Sequence, residues 1–194
     1  MLRAKQSHRI PRALSSPASW ALPAIALIAF LFPVLSAGLA RAMTESQVKA
    51  AFLYNFARYV EWPQHAFESG DSPFRICVLG ADDFASVVTE VVAGKQVDAR
   101  PVEVSELSGL DGVTRCQVLF VGGWMKLDPA EFFSELEGAS VFTVSDADGF
   151  ARDGGVANFF RAKSKVRFEI NPGAAQRAGL KISSRLLRLA RVVE

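Results

Sequence analysis

Few residues in this 194-residue chain could do chemistry beyond packing. The two histidines are His8, close to the N-terminus, and His65, two residues after Trp62-Pro63. A Ser-His-Asp or Cys-His centre needs a histidine base that a third group orients. No nucleophile motif accompanies His65, so it reads as an exposed loop residue. Asp146-x-Asp148-Gly149 has the opening of a calcium loop. The position that should supply the bidentate Glu is Ala157, so the ligand set fails and turn chemistry accounts for the run. Val78-Leu79-Gly80 and Gly122-Gly123 lack the glycine spacing of a phosphate cradle and read as turns. Cys77 and Cys116 fall short of the four ligands a structural zinc needs. The expectation is a protein that is not an enzyme, with no metal and no cofactor.

The cysteines take their meaning from the first 42 residues. Arg3, Lys5, Arg9 and Arg12 precede an uncharged apolar run from Trp20 to Leu35, and Ala40-Arg41-Ala42 places small residues at −3 and −1 of a cleavage site. The run is short for a helix crossing a core of about 30 Å, and no Cys follows it to mark a lipoprotein. Residues 1–42 therefore read as a signal peptide cleaved after Ala42, and residues 43–194 as one exported, periplasmic domain. In an oxidising compartment the only two cysteines are expected to pair. The alternative is two buried free thiols. Both lie in strand-like runs, Phe74–Leu79 and Cys116–Val121.

Elements must position whatever these residues do. Thr44-x-x-Gln47 is a capping box. Val48, Ala51, Phe52, Phe56, Tyr59 and Val60 follow at helical spacing until Trp62-Pro63. Strands are expected at Phe74–Leu79, Pro101–Val104, Cys116–Val121 and Val141–Val144. Helices are expected around Asp83–Val92 and, behind Asp128-Pro129, over Ala130–Glu137. Val156–Phe160 and Val166–Ile170 form a hairpin across the basic loop Arg161–Lys165. Asn171-Pro172 leads into a helix at Ala174–Ala178, and Ser183/Ser184 caps a terminal helix to about Val192. The pattern predicts an α/β fold, a single-domain sandwich with a mixed β-sheet flanked by helices.

Charge is unevenly distributed. The chain has 22 basic and 20 acidic residues, and the formal net charge of +2 does not suggest a nucleic-acid binder. Residues 1–42 hold five basic residues and no acid, residues 43–151 a net of −10, and residues 152–194 a net of +7. On a terminal helix Lys181, Arg185, Arg188 and Arg191 would share one arc, opposite Leu186, Leu189, Ala190 and Val193 packed on the sheet. That arc is either a solvated face complementing its own helix dipole or an anion-facing surface for a partner, a cell-wall polymer or a membrane surface. Glu169, isolated among cations, is expected to ion-pair with one of them or to help hold a polar ligand.

Several blocks resemble a known family. Lys49–Pro63 resembles the opening signature of the YfiR-like proteins, and Ile76–Gly80, Cys116–Phe120, Thr143–Asp146, Gly149-Phe150 and Gly154-Gly155 resemble its middle blocks. Arg167–Asn171, Ala174-Ala175, Ala178–Ser184 and Leu186–Ala190 resemble its close. The resemblance spans residues 46–191 in order.

It implies a periplasmic, non-enzymatic regulator that restrains an inner-membrane diguanylate cyclase, or a similar membrane sensor, by binding its periplasmic part. Cyclic-di-GMP and biofilm would lie downstream, an OmpA-like outer-membrane lipoprotein or peptidoglycan would take part in release, and the protein would be a homodimer. The disulfide at Cys77 and Cys116 matches the family's main bridge. A second bridge found in some relatives has no counterpart here. The partner-binding candidates are Lys181, Arg185, Arg188 and Arg191. The alternative is a small-ligand or peptidoglycan-binding module with a pocket near Glu169, Asn171 and Arg177; Phe150 and Asn158 complete the ligand-binding candidates.

Overall fold

A computed structural model of the protein describes residues 42–194. The leader read over residues 1–42 lies, up to residue 41, outside the described residues. Met43–Glu194 form one compact unit. Its elements in chain order are α1 (Glu45–Tyr59), β1 (Val60–Glu61), β2 (Phe74–Leu79), α2 (Asp82–Val92), β3 (Gln96–Val97), β4 (Arg100–Leu107), β5 (Val118–Val121), α3 (Pro129–Glu135), β6 (Phe142–Ser145), β7 (Ala157–Ala162), β8 (Lys165–Ile170), α4 (Pro172–Arg177), β9 (Lys181–Ile182), α5 (Ser184–Leu187) and β10 (Arg191–Val192).

Eight strands form one mixed sheet in the order β10-β8-β7-β6-β5-β2-β4-β3. The centre, β7-β6-β5-β2-β4, is parallel. The β7–β8 and β3–β4 pairs are antiparallel hairpins. β10 joins β8 in parallel, and β1 pairs separately with β9. The α/β sandwich expected from the sequence is therefore present.

Alternation along the central strands divides the core in two, because successive side chains point to opposite faces. Ile76, Val78, Val118, Phe120, Phe142 and Val144 pack with Leu53, Phe56 and Ala57 of α1. Cys77, Leu79, Leu119 and Val121 pack with Trp124, Phe132 and Phe150. Phe56 is fully buried and lies 5.1 Å from the Phe142 ring and 5.1 Å from Phe168.

Local signals start the helices where the sequence places them. Gln47 N donates to Thr44 Oγ1 at 3.2 Å, and Thr44 N donates to Gln47 Oε1 at 2.9 Å. Asp128 accepts from Ala130 N and Glu131 N ahead of Pro129. Such caps contribute about 1 kcal/mol each.

Two expectations fail. Cys116 precedes β5 rather than lying in it, at the end of a 3-10 turn, Val113–Arg115. The terminal helix stops at Leu187, after four residues. The free edge of β8 captures the chain beyond it: Arg191 pairs with Glu169, Val192 pairs with Ile170, and Val193 N donates to Ile170 O at 2.9 Å. Tertiary strand pairing overrides a helical pattern that local propensity only weakly favours. The hairpin connection is also tighter than expected. Lys163 and Ser164 alone form the turn, both with positive φ, as a two-residue hairpin loop matched to strand twist requires.

Candidate functional site

The C-terminal edge of the sheet gathers most of the residues singled out above. Asn158 on β7 faces Glu169 on β8, and Glu169 faces Arg191 on β10. Glu169 is 1% exposed. Arg191 Nε donates to Glu169 Oε2 at 2.8 Å and its Nη2 donates to the same oxygen. Arg152 Nη2 lies 3.6 Å away. The Arg191 guanidinium also stacks 4.0 Å over the Phe160 ring. Glu169 thus has the ion-pair partner expected of it. A buried carboxylate demands one, since an isolated buried charge costs several kcal/mol.

Asn158 and Asn171 hold the backbone of one residue, Ala151, between them. Ala151 N donates to Asn158 Oδ1 at 3.2 Å, and Asn171 Nδ2 donates to Ala151 O at 2.8 Å. Asn171 Oδ1 also caps α4 by accepting from Ala174 N at 2.9 Å. Phe150, immediately before this residue, is fully buried beside Trp124. A Cβ on Gly155 would meet the Phe150 ring at 2.2 Å, so Gly155 is kept bare for that ring. Of the five ligand-binding candidates, Phe150, Asn158, Glu169 and Asn171 are buried with internal partners. Arg177 is the exposed member.

Arg177 stands where two cavities meet. One, of about 650 Å³, runs between α3 and α4 and is lined by Phe133, Leu136, Val141, Val156, Ala178 and Arg177, among others. The other, of about 560 Å³, includes Arg152, Asn171, Pro172, Gly173, Val192 and Arg177. Gly154 belongs to both.

The partner-binding cations do not share one helical arc, which corrects the expectation. Lys181 lies on β9 opposite Glu61. Arg185 is on α5, with its guanidinium 5.9 Å from the Tyr59 ring centroid. Arg188 is exposed at the end of α5, and Arg191 is committed to Glu169. Leu189 and Val192, the first of which was expected to pack on the sheet, are 64% and 53% exposed. Leu189 precedes the β10 edge strand and Val192 lies in it, a feature invisible while the segment reads as a helix.

A third cluster lies at the start of α1. Lys49 Nζ bridges Glu45 at 3.1 Å and Asp146 at 3.0 Å, and Arg161 reaches Glu45 at 3.2 Å. Partial burial pushes the Lys49 ammonium down, but the hydrogen bonds to Asp146 and Glu45 outweigh it and leave the pKa raised. The Lys49 hydrogen bond lowers Glu45. Asp146 therefore serves an ion pair rather than a calcium loop.

Chemistry at the remaining positions is sparse. His65 Nε2 lies 3.3 Å from Ser140 Oγ, a contact across 75 residues that spacing could not announce. No carboxylate among the described residues hydrogen-bonds His65, so the pair lacks the third member that orients a base. The crevice where strand order reverses in a doubly wound sheet is the usual ligand site. Here it lies between β2 and β5 and is closed by backbone. Gly122 N donates to Leu79 O at 2.7 Å, and a Cβ on Gly122 would meet Gly80 O at 2.7 Å. Among the described residues no cluster of three or more His, Cys, Asp or Glu could hold a metal.

Cys77 and Cys116 form a disulfide with Cα atoms 5.8 Å apart, inside the second core. The YfiR/HmsC-like family model matches residues 46–191. The chain belongs to the YfiR/HmsC-like family. Members of this family are known as periplasmic regulators and are in general non-catalytic. Family membership and the disulfide both suggest the periplasm. No helix among the described residues is long and apolar enough to cross a membrane.

Among solved structures, the chain is similar to a conserved domain protein from Vibrio cholerae O1 biovar eltor, with 10% identity and TM-score 0.52, over 78% of this chain and 61% of that one. It also matches the ABC domain in complex with L-Trp from Streptococcus pneumonia, with 14% identity and TM-score 0.49, over 77% of this chain and 62% of that one. The chain spans about three fifths of the length of these structures. The first likeness speaks to fold alone. No curated protein matches.

Proposed function

We propose that this YfiR/HmsC-like protein is exported, loses residues 1–42, and restrains an inner-membrane diguanylate cyclase or similar sensor by binding its periplasmic part. Cyclic-di-GMP and biofilm formation would rise on release, with an OmpA-like lipoprotein or peptidoglycan as the releasing agent and a homodimer as the working form. Family membership over residues 46–191 carries this reading.

The exposed C-terminal edge supports a location for the contact. Lys181, Arg185 and Arg188 are exposed cations, and Leu189 and Val192 are exposed apolar side chains on the same segment. Exposed apolar groups ringed by like charge suit an acidic partner: charge steers the encounter and apolar burial holds it. Arg191 belongs to the fold in this reading, not to the contact. The test is binding of the purified protein to the periplasmic domain of a membrane cyclase encoded beside it. Tight, salt-weakened binding, with cyclic-di-GMP rising on deletion of the gene, supports the proposal; absence of both refutes it.

A second reading, a small-ligand or peptidoglycan-binding module, has the cavity beside Arg177 in its favour. A peptidoglycan pull-down with no membrane partner would favour it.

A further inference from the structure

We propose that the basic β7–β8 hairpin docks the protein on an anionic phospholipid surface, with Lys163, Lys165 and Arg167 facing the headgroups. The inference uses the reading of an exported protein that acts at the inner membrane, but not the identity of its membrane partner.

Strand pairing makes this hairpin an arm. β6 pairs with β7 only at Ala157 and Asn158, and β10 pairs with β8 only at Glu169 and Ile170. The β7–β8 ladder runs on from the Phe159–Phe168 pair to the Ala162–Lys165 pair. Among the described residues these last four pairs have no third strand on either side. They make a ribbon about 13 Å long, at ~3.3 Å per residue. Phe159 and Phe168 are buried and root it in the core that packs on α1. Beyond them Arg161, Lys163, Ser164, Lys165 and Arg167 are exposed.

The ribbon carries charge of one sign. Residues 159–168 contain four cations and no acid. Arg161 is held by Glu45, which Lys49 also engages, and Lys49 holds Asp146. At the root Glu169 is held by Arg191 and Arg152. Asp148 lines the cavity beside the ribbon together with Arg161 and Arg191. In this whole neighbourhood seven cations stand against four carboxylates. The excess is Lys163, Lys165 and Arg167, none of which enters an ion pair among the described residues.

The rest of the domain decides what such an arm can serve. Residues 43–151 carry a net of −10 and residues 152–194 a net of +7, leaving −3 for the two together. An anionic bilayer therefore repels the domain unless it presents this end. At physiological salt the surface potential fades over about 8 Å. The ribbon is longer than that, so its tip meets the potential before the acidic body does. Two of the three cations are lysines, compact charges on flexible stems. They suit a diffuse charged plane better than the bidentate capture of one shaped acid. Lysines on a free strand edge also keep other strands away. That protective role needs no surface, and it is the competing account.

The experiment is co-sedimentation of the purified exported protein with phosphatidylcholine vesicles, with and without phosphatidylglycerol, and no partner present. Wild type should bind only the vesicles that contain phosphatidylglycerol, and high salt should release it. Each cation near an anionic surface contributes about fivefold in partitioning. Lys163→Gln with Lys165→Gln and Arg167→Gln should therefore weaken binding on the order of a hundredfold. Arg58→Gln with Arg115→Gln and Lys126→Gln removes the same charge from exposed positions elsewhere and should weaken it far less. Melting curves confirm that both triple variants are folded, and the lipid and salt arms need wild type alone. Equal losses in the two triple variants would mean an effect of net charge only and overturn the proposal. So would a wild type indifferent to phosphatidylglycerol, or one that sediments with purified peptidoglycan and not with vesicles. Failure to bind a membrane cyclase leaves it untouched, because no arm uses the partner.

Discussion

Arg191 on the edge strand β10 faces Glu169 on β8, and its Nε donates to the buried carboxylate at 2.8 Å. The pair explains why the last segment abandons the helix that its sequence pattern favours. Glu169 is buried in the register of β8, and a cation must come to it. Arg191 arrives by extending the chain into β10, and just beyond it Val193 N donates to Ile170 O at 2.9 Å. The consequence for function is a division of labour among cations that composition alone presents as one group.

The disulfide should account for much of the stability. Cys77 and Cys116 are 39 residues apart in sequence and buried in the second core. Closing such a loop contributes about 4 kcal/mol in the chain-entropy model. Thiol titration of the unfolded, unreduced protein should find no free thiol. Cys77→Ala with Cys116→Ala should lower the denaturation midpoint by a corresponding amount. Two titratable thiols per chain would refute the bridge in the exported protein.

Much of this fold is legible in the sequence because its signals are local. Thr44 and Gln47, Asp128 and Pro129, and Asn171 and Pro172 start helices through groups within four residues. The apolar runs at Phe74–Leu79 and Cys116–Val121, short and closed by Gly80 and Gly122, suit strands buried on both faces. What remains hidden depends on distant pairing. β1 and β9 are two residues each and exist only through each other. The Asn158–Ala151–Asn171 bridge joins three segments, and nothing in Asn158 itself distinguishes a ligand contact from a structural hydrogen bond. Arg177 is the exposed member of its group, the one whose side chain is free of the buried hydrogen bonds that engage Asn158, Glu169 and Asn171.

Phe56 tests the first core. It is fully buried and packs against Phe52, Phe142, Phe159 and Phe168. Phe56→Ala should destabilise by about 3–5 kcal/mol, through lost transfer energy and the cavity left behind. Chemical denaturation reads this directly. Near-neutral stability would mean that the α1 stripe is not a core face.

Gly122 tests the closed crevice. Its missing Cβ would lie 2.6 Å from Ala81 Cβ and 2.7 Å from Gly80 O. The second obstacle is backbone, so no rotamer change relieves it. Gly122→Ala should cost about 1–3 kcal/mol, as overpacking does. Gly70→Ala, with open space around it, should cost far less. Equal melting temperatures for the two variants would contradict the close approach of the β2 and β5 ends.

The Lys49 cluster predicts a pH dependence of definite sign. Glu45 has a lowered pKa, so its contribution is present above its unfolded value and is lost as pH falls through the folded one. Lys49 has a raised pKa, so its contribution is present below its unfolded value and is lost as pH rises through the folded one. Lys49→Met should therefore lose stability most near neutral pH and approach the wild type at either extreme. Because Glu45 and Asp146 are partly exposed, the neutral-pH loss should be about 1 kcal/mol or less. A difference that grows toward acid would contradict the assignment.

The division among C-terminal cations is open to a paired test. Arg191→Gln removes the main partner of a buried carboxylate and leaves a shorter, neutral polar side chain. Breaking a buried pair costs about 3–5 kcal/mol. Arg152, 3.6 Å from Glu169, remains, so the lower end of that range is expected. Arg188 has no ion-pair partner among the described residues and is exposed. Arg185 is exposed too, with its guanidinium 5.9 Å from the Tyr59 ring centroid. Arg185→Glu with Arg188→Glu should leave the melting temperature within a few degrees of wild type, because exposed charges contribute about 0–1 kcal/mol. The same double variant should bind the partner's periplasmic domain more weakly, mainly through a slower association that flattens the salt dependence. Cyclic-di-GMP should rise in cells that carry it. Arg191→Gln, examined at a temperature where it is still folded, should bind nearly as well as wild type. If Arg191→Gln instead keeps full stability and loses binding, Arg191 belongs to the contact after all and Arg152 suffices for Glu169. If the double reversal keeps both binding and signalling, the exposed arginines are a solvated face, and Leu189 and Val192 are the next residues to change.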